Sequence, residues 1–260
     1  MNHAEFLTSP LLDRAGFRHA FFTRNGGVSS GPFESLSFSL AVGDEPDHVR
    51  ENLTRAAAAL GIEATKLFFL SQVHGSAVHV VDSRSHRDEV QRVEGDAVAS
   101  GDPRVGCGVR SADCVPVLLA DRVSGAAAAV HAGWRGVIAG AVEAGAAALR
   151  QLAGARVDLV AAIGPHISLE AFEVSDEVAA ELLSASPDPG VVQSRPGARP
   201  HVDLRRLVRA KLLAQGLRLD CIDDVPGCTA GDPARFFSFR RDGARSGRHL
   251  SAIVPRGLDG

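Results

Sequence analysis

The sequence predicts a mixed α+β fold formed by one domain over residues 1–260. Apolar runs of strand length alternate irregularly with helical segments, without a repeating strand–helix unit. Two such runs, Val115–Ala120 and Ala126–Val130, are separated only by Asp121-Arg122-Val123-Ser124-Gly125, the composition of a hairpin loop. No G-x-G-x-x-G or P-loop pattern follows a strand, so a doubly wound nucleotide-binding sheet finds no support. No internal repeat, low-complexity segment or linker divides the chain.

The elements follow in order. Phe17–Thr23 is an apolar run bounded by Gly16 and by a Gly/Ser loop, Arg24–Gly31, so it reads as a strand ending in a turn. That loop can offer backbone N–H groups and the Arg24 guanidinium to an anion, although its composition alone better suits a plain turn. Pro46–Leu60 is a helix, with Pro in its first turn and Gly61 past its end. Lys66–Leu70 and Ala77–Asp82 are short strands, and His79, flanked by valines, reads as a structural side chain. Ser83–Glu94 is charged, an exposed loop or short helix; Gly95–Ser100 and Val105–Arg110 are strands, the second running into the hairpin. Trp134–Ala153 reads as one Ala-rich helix stopped by Gly154. Its Gly136, Gly140 and Gly145 suit close packing on a sheet, at a propensity cost of roughly 1 kcal/mol each relative to Ala. Val157–Ile163 is a buried strand, and Glu173–Ala185 is a helix with Ser175 and Asp176 as candidate caps. Pro187–Pro200 is a loop. Asp203–Gln215 is a helix with Asp203 at its N-cap and an apolar stripe of Leu204, Leu207, Val208 and Leu212. Before the last strand, Leu250–Val254, a basic cluster of Arg240, Arg241, Arg245 and Arg248 is either a solvated surface or an anion site.

Composition narrows the function. Lys and Arg number 28 against 31 Asp and Glu, so no global field favours nucleic acid or an anionic membrane as partner. No apolar run is long enough to span a bilayer. The start, M-N-H-A-E-F-L, lacks the basic-then-apolar pattern of a signal peptide. Four cysteines (Cys107, Cys114, Cys221, Cys228) are too sparse for a disulfide scaffold. A reduced, cytoplasmic protein is the expectation, and a monomer is compatible with it.

Chemistry concentrates around the hairpin. Cys114 opens its first strand and His131 closes its second, so the hairpin sets them side by side. His74 precedes Gly75 just ahead of another strand. A thiolate and two imidazoles are a sound zinc set, and three protein ligands leave a fourth position for water, as in catalytic sites. Zinc brings the pKa of such a water toward about 7. The spacing alone is weak, because no C-x-x-C or H-E-x-x-H is present.

Longer motifs carry a resemblance. Q-V-H-G (Gln72–Gly75), A-D-C-V-P-V-L-L-A-D (Ala112–Asp121), H-A-G-W-R-G (His131–Gly136), I-G-P (Ile163–Pro165), F-E-V (Phe172–Val174) and F-F-S-F-R-R-D-G (Phe236–Gly243) closely resemble the YfiH family. It is also called the laccase-domain or polyphenol oxidase family, or peptidoglycan editing factor. The likeness runs from about Phe17 to Val254. It implies a four-layer α/β/β/α sandwich with mixed sheets, shared with certain cysteine-dependent toxins and deamidases. It implies zinc on His74, Cys114 and His131, and an enzyme that phosphorolyses adenosine, inosine or methylthioadenosine and deaminates adenosine, with purine nucleoside and phosphate as small-molecule partners. Under that reading Asp113, beside the ligand cysteine, is the candidate proton shuttle, and Arg24, Arg135 and Arg241 are the candidate phosphate ligands. Phe172 stands where the family carries a Tyr or Phe, so no phenol acts there. Trp134 is placed to stack on a base or to pack in the core.

Two other enzyme readings use the same residues. In one, Cys114 is a nucleophile and His131 its base, in a cysteine hydrolase or amidase acting on a peptidoglycan precursor. In the other, the site holds copper in a polyphenol oxidase. Against that stand the lack of any H-x-H pair and a single Met, Met1, although copper outcompetes zinc by intrinsic affinity. A structural zinc module is disfavoured, since a chain of this size can build its core without metal.

Overall fold

Along Val115–Asp121 the side chains alternate between two different cores, as the pleat of a strand requires. Val115, Val117 and Leu119 face one core; Leu118 and Ala120 face the other. The fold is built out from this strand. The computed structural model describes residues 3–194 and 196–257, and Met1 lies outside them.

The strands are β1 (Phe6–Leu7), β2 (His19–Phe22), β3 (Leu67–Phe68), β4 (Val78–Val80), β5 (Ala97–Ser100), β6 (Gly106–Ser111), β7 (Val115–Asp121), β8 (Ala127–Ala132), β9 (Leu159–Ile163), β10 (Val192–Gln193), β11 (His201–Val202), β12 (Ile222–Asp224) and β13 (His249–Ile253). The helices are α1 (Pro10–Arg14), α2 (Pro46–Ala59), α3 (Arg87–Val90), α4 (Trp134–Ile138), α5 (Ala141–Ala153), α6 (Asp176–Ser184), α7 (Leu204–Ala214) and α8 (Phe239–Asp242). One sheet runs β12-β9-β7-β8-β5-β4 and another β1-β2-β13-β6-β3. Both are mixed: β12/β9, β4/β5 and β3/β6 pair parallel, and the remaining pairs are antiparallel.

The apolar side chains order these sheets into layers. Leu118, Ala120, Ala127, Ala129 and Val160 of the first sheet meet Phe21, Phe68, Val109 and Ile253 of the second. The outer face of the first sheet packs on α5 and α7 through Val142, Ala146, Leu149, Leu207 and Leu212. The outer face of the second, with Ala20, Phe22, Leu67 and Leu250, packs on Val49, Leu53, Ala56 and Ala57 of α2. The order is helix, sheet, sheet, helix, the α/β/β/α sandwich that the resemblance implied. No helix among the described residues is long and apolar enough to cross a membrane.

The hairpin forms as expected, with Val115 opposite Ala132 and Pro116 opposite His131. The caps at Ser175 and Asp203 also form, accepting from the Val178 and Arg206 N–H groups. Two expectations fail. Trp134–Ala153 is not one helix: Gly140, at φ +89°, breaks it into α4 and α5, because a left-handed residue cannot continue a right-handed helix. The Pro187–Pro200 loop contains β10, which pairs with β11. Two residues are too short to show a strand period in sequence.

Candidate metal centre

Three elements deliver the three candidate ligands. Cys114 stands in the turn between β6 and β7, His131 lies in β8, and His74 is on the loop ahead of β4. The Sγ of Cys114 is 3.9 Å from Nε2 of His74. The two imidazole rings lie 5.0 Å apart at 74°. One donor atom from each residue falls within 4.8 Å of the others. His131 is buried, Cys114 half-buried and His74 exposed, so the group steps from floor to opening.

Asp96, fully buried just before β5, ties this group together. Its carboxylate accepts from the N–H groups of Val73 (3.2 Å), His74 (3.0 Å) and Gly75 (2.7 Å). It also lies 2.8 Å from Nδ1 of His131, while the Asp96 carbonyl accepts the His131 N–H at 2.7 Å. An ionised Asp96 accepts a hydrogen bond from Nδ1–H, which leaves Nε2 of His131 free to act as a ligand. The loop it holds is strained. Among the described residues, His74 (φ +60°) and Asp113 (φ +89°) are the non-glycine positions with positive φ, a cost of about 1–3 kcal/mol each that tertiary bonds must offset. Asp113 is fixed by Thr229 Oγ1 (2.6 Å), Ser238 Oγ (3.0 Å) and the Arg240 N–H (2.6 Å).

Burial opposes ionisation of the Cys114 thiol, but His131 and His74 beside it outweigh that and bring it down to about 6. Burial likewise opposes charge on His131, yet the Cys114 thiolate and Asp96 raise it to about 9. Gly133 completes the cradle. A Cβ there would stand 2.8 Å from His74 Cδ2 and 3.0 Å from Cys114 Sγ, so the close approach of these two side chains requires a bare backbone.

Above the group opens a cleft of about 650 Å³. Trp134, Ile167, Phe172, Leu204 and Phe239 give it apolar walls, and Arg110, Arg135, Arg240 and Arg248 give it positive charge. A family model described as multi-copper polyphenol oxidoreductase laccase matches residues 18–256. The chain belongs to this family. Its relatives include a purine nucleoside phosphorylase of Streptomyces coelicolor, 39% identical over 227 residues, which are 87% of this chain and 91% of that one. Another, the purine nucleoside phosphorylase YfiH of Shigella flexneri, is 36% identical over 89% of this chain and 90% of its own. Among solved structures, YlmD of Geobacillus stearothermophilus superposes with a TM-score of 0.88 at 30% identity, covering 97% of this chain and 99% of that one.

Within this laccase-family cleft the residues singled out from sequence divide. His74, Cys114 and His131 come together, and Asp113 and Arg135 line the same cleft. Arg24 and Arg241, expected as phosphate ligands, are not among the residues that line it. Arg24 donates to the carbonyls of Glu34 (2.8 Å) and Pro233 (3.0 Å) and stacks on Phe237. Arg241 pairs with Asp242 and donates to the carbonyls of Thr229, Ala230 and Phe236. Asp113, expected as a proton shuttle, has both carboxylate oxygens engaged in holding its own turn. The sequence reading missed Asp96, Arg110 and Gly133. Asp96 and Arg110 had a signal, a charged residue at the end of a strand that is otherwise apolar or Gly-rich. His79 is half-buried in β4 and stands apart from the group, as do Cys107, Cys221 and Cys228.

Proposed function

We propose that this chain is a zinc-dependent purine nucleoside enzyme, carrying out phosphorolysis and adenosine deamination from one cleft in a cytoplasmic setting. The observation that carries this is the His74–Cys114–His131 group at the floor of a cleft with both aromatic walls and arginines. The relatives' printed name, purine nucleoside phosphorylase, supports the same reading.

The donor set fits zinc. One thiolate and two imidazoles are borderline-soft ligands, the Asp96–His131 bond is the carboxylate–histidine pair common behind zinc, and Gly133 leaves space between the donors. When bound, zinc supplies a Lewis acid and a water acidic enough to ionise near neutral pH. The chain's own residues do the rest. Trp134 and Phe172 flank the space a purine would fill, and the arginines draw hydrogen phosphate into the cleft. In phosphorolysis a phosphate oxygen bonds to C1′ of the ribose as the C1′–N9 bond breaks. The proton given up by hydrogen phosphate goes to the departing purine. In deamination water adds at C6 and ammonia leaves. Asp113 acts by holding the Cys114 turn in its left-handed conformation.

A second reading has its own support. Cys114, His131 and Asp96 form a thiol–imidazole–carboxylate chain, and the thiol is already acidified. A cysteine hydrolase or amidase acting on peptidoglycan precursors would use that chain without metal. The test is product analysis of zinc-loaded protein with adenosine, with and without phosphate. Inosine without phosphate, or adenine only with it, is expected. Cys114→Ala, His74→Ala and His131→Ala are each expected to lose zinc and turnover while remaining folded. No turnover of any purine nucleoside by zinc-loaded protein would overturn the nucleoside reading. Hydrolysis that survives metal removal would favour the thiol.

A further inference from the structure

Four arginines line the cleft, Arg110, Arg135, Arg240 and Arg248, and among the described residues none of them is held in an ion pair. Arg110 is near the end of β6, and Arg248 directly precedes β13. These strands are adjacent and antiparallel, with Arg110 opposite Leu250, so Arg248 falls two residues along on the same side of the sheet. Both side chains are half-buried and both line the cleft beside Cys114.

Each guanidinium is anchored from behind. Arg110 stacks on Phe69, 4.6 Å from its centroid, and donates one N–H to the Leu70 carbonyl at 3.1 Å. Arg248 donates from one nitrogen to the carbonyls of Ser246 (2.6 Å) and Gly247 (3.0 Å) and lies 5.8 Å from the Phe239 ring. Among the described residues neither has a carboxylate within ion-pair distance, although the Cys114 and Asp113 charges favour the Arg248 cation from farther off; Arg241 and Arg235 are paired with Asp242 and Asp232. Asp113, the one carboxylate among the residues lining the cleft, spends its oxygens on Thr229, Ser238 and the Arg240 N–H. Burial, and then the charge of Arg248, pulls Arg110 down to about 10, which leaves it charged at neutral pH. Two like charges held together and partly desolvated are costly unless an anion sits between them.

We propose that Arg110 and Arg248 together form a subsite for a tetrahedral oxyanion next to the metal group, and that it takes inorganic phosphate. The choice of phosphate rests on the purine nucleoside reading; the anion subsite itself rests on the two unpaired guanidiniums. Planar forks with free N–H groups suit the oxygens of a phosphate in a way an ammonium does not. Arg135 and Arg240 are exposed and stack on Trp134 (4.3 Å) and Phe172 (5.3 Å), and are not part of this subsite.

The test is titration calorimetry of inorganic phosphate into the zinc-loaded protein, joined to phosphate KM and kcat in phosphorolysis. Arg248→Gln and Arg110→Met (which keeps a stem against Phe69) are each expected to weaken phosphate binding roughly ten- to a hundredfold. The same variants should raise KM for phosphate by a similar factor, with a smaller effect on kcat. Arg248→Lys and Arg110→Lys keep the charge but lose the fork; they should fall between and serve if a neutral variant does not fold. Phosphate binding that is lost in these variants, in a protein that turns over no nucleoside, would sustain the subsite and reject only the nucleoside reading. Wild-type affinity for phosphate in folded Arg110 and Arg248 variants, or no phosphate binding by the parent protein, would overturn the subsite even if phosphorolysis proceeds.

Discussion

Asp96→Asn is the smallest change that should loosen two ligands at once. In the native site one carboxylate oxygen takes the N–H groups of Val73 and Gly75, and the other takes the His74 N–H and Nδ1 of His131. An asparagine has one acceptor oxygen and one NH₂ group. Whichever way it is flipped, the NH₂ confronts a pair of former donors. Two buried donors left unsatisfied cost about 1–3 kcal/mol each, so the metal-free protein should lose about 2–6 kcal/mol of stability. The site can recover one bond if His131 turns Nδ1 into an acceptor, but the ring proton then moves to Nε2, the nitrogen needed as a ligand. Outer-shell changes of this kind weaken metal binding about 10- to 100-fold, or roughly 1.4–2.7 kcal/mol. The assay is zinc competition against a chromophoric chelator at fixed pH, with urea unfolding of the metal-free protein alongside. A folded Asp96→Asn protein that binds zinc within twofold of the parent would refute the reasoning, because the clamp would then be irrelevant to the ligands.

Gly133→Ala should keep its circular dichroism and lose zinc affinity at least about tenfold, since the new methyl would press on both His74 and Cys114; unchanged affinity by the same competition would remove the cradle argument. Gly140→Ala should leave zinc binding intact and cost about 1–2 kcal/mol in urea unfolding. Its Cβ would meet only Glu143 Oε2 at 3.9 Å, so the penalty is conformational, and a stability equal to the parent's would show that α4 and α5 can fuse. His249 is held neutral at about 3, chiefly by burial, and its Nε2 accepts the Phe237 N–H. Its folded pKa lies below the unfolded value of about 6.5, so its contribution is complete above that value and is lost as pH falls toward 3, by up to ~1.4 kcal/mol per pH unit. His19 and His166 are depressed in the same sense by burial. Urea midpoints measured from pH 7 to 4 should therefore fall steadily, and a His249→Gln protein should show a shallower slope; parallel slopes would sink the assignment.

The parts of this molecule that sequence revealed are those set by short-range pattern. The hairpin is written in two apolar runs and a five-residue turn, so the neighbourhood of Cys114 and His131 follows directly. The caps at Ser175 and Asp203 are similarly local. The break in the long helix was hidden because Gly136, Gly140 and Gly145 look alike in an Ala-rich run. Only Gly140 takes a positive φ, while Gly145 is pressed against Val130. The arginines were hard to place for the opposite reason. Arg24 is recruited by the Pro233 carbonyl and the Phe237 ring, far away in the chain, and those contacts turn it from the cleft lining. Asp96 acquires its role only because β5 lies beside β8 and the His74 loop folds over its end. No window of sequence contains that information.

The family's description as multi-copper polyphenol oxidoreductase laccase bears on which metal and which chemistry the site serves. Oxidising phenols with dioxygen requires electrons to be collected one at a time and delivered together, which is work for several coupled coppers. Among the described residues, His74, Cys114 and His131 are the one group of three or more donors close enough for a metal. None of the ten histidines lies two positions from another, so no H-x-H pair exists to build a second centre. A thiolate with two imidazoles still binds copper more tightly than zinc by intrinsic affinity, and copper in a purified sample would report metal availability as much as function. The decisive comparison is of one protein loaded separately with zinc and with copper. Nucleoside turnover is expected with zinc, and phenol oxidation with copper should stop after about one equivalent of substrate per metal. Sustained, oxygen-consuming phenol turnover that requires copper and disappears in Cys114→Ala would show that a single centre suffices, and would move the function from nucleosides to phenols.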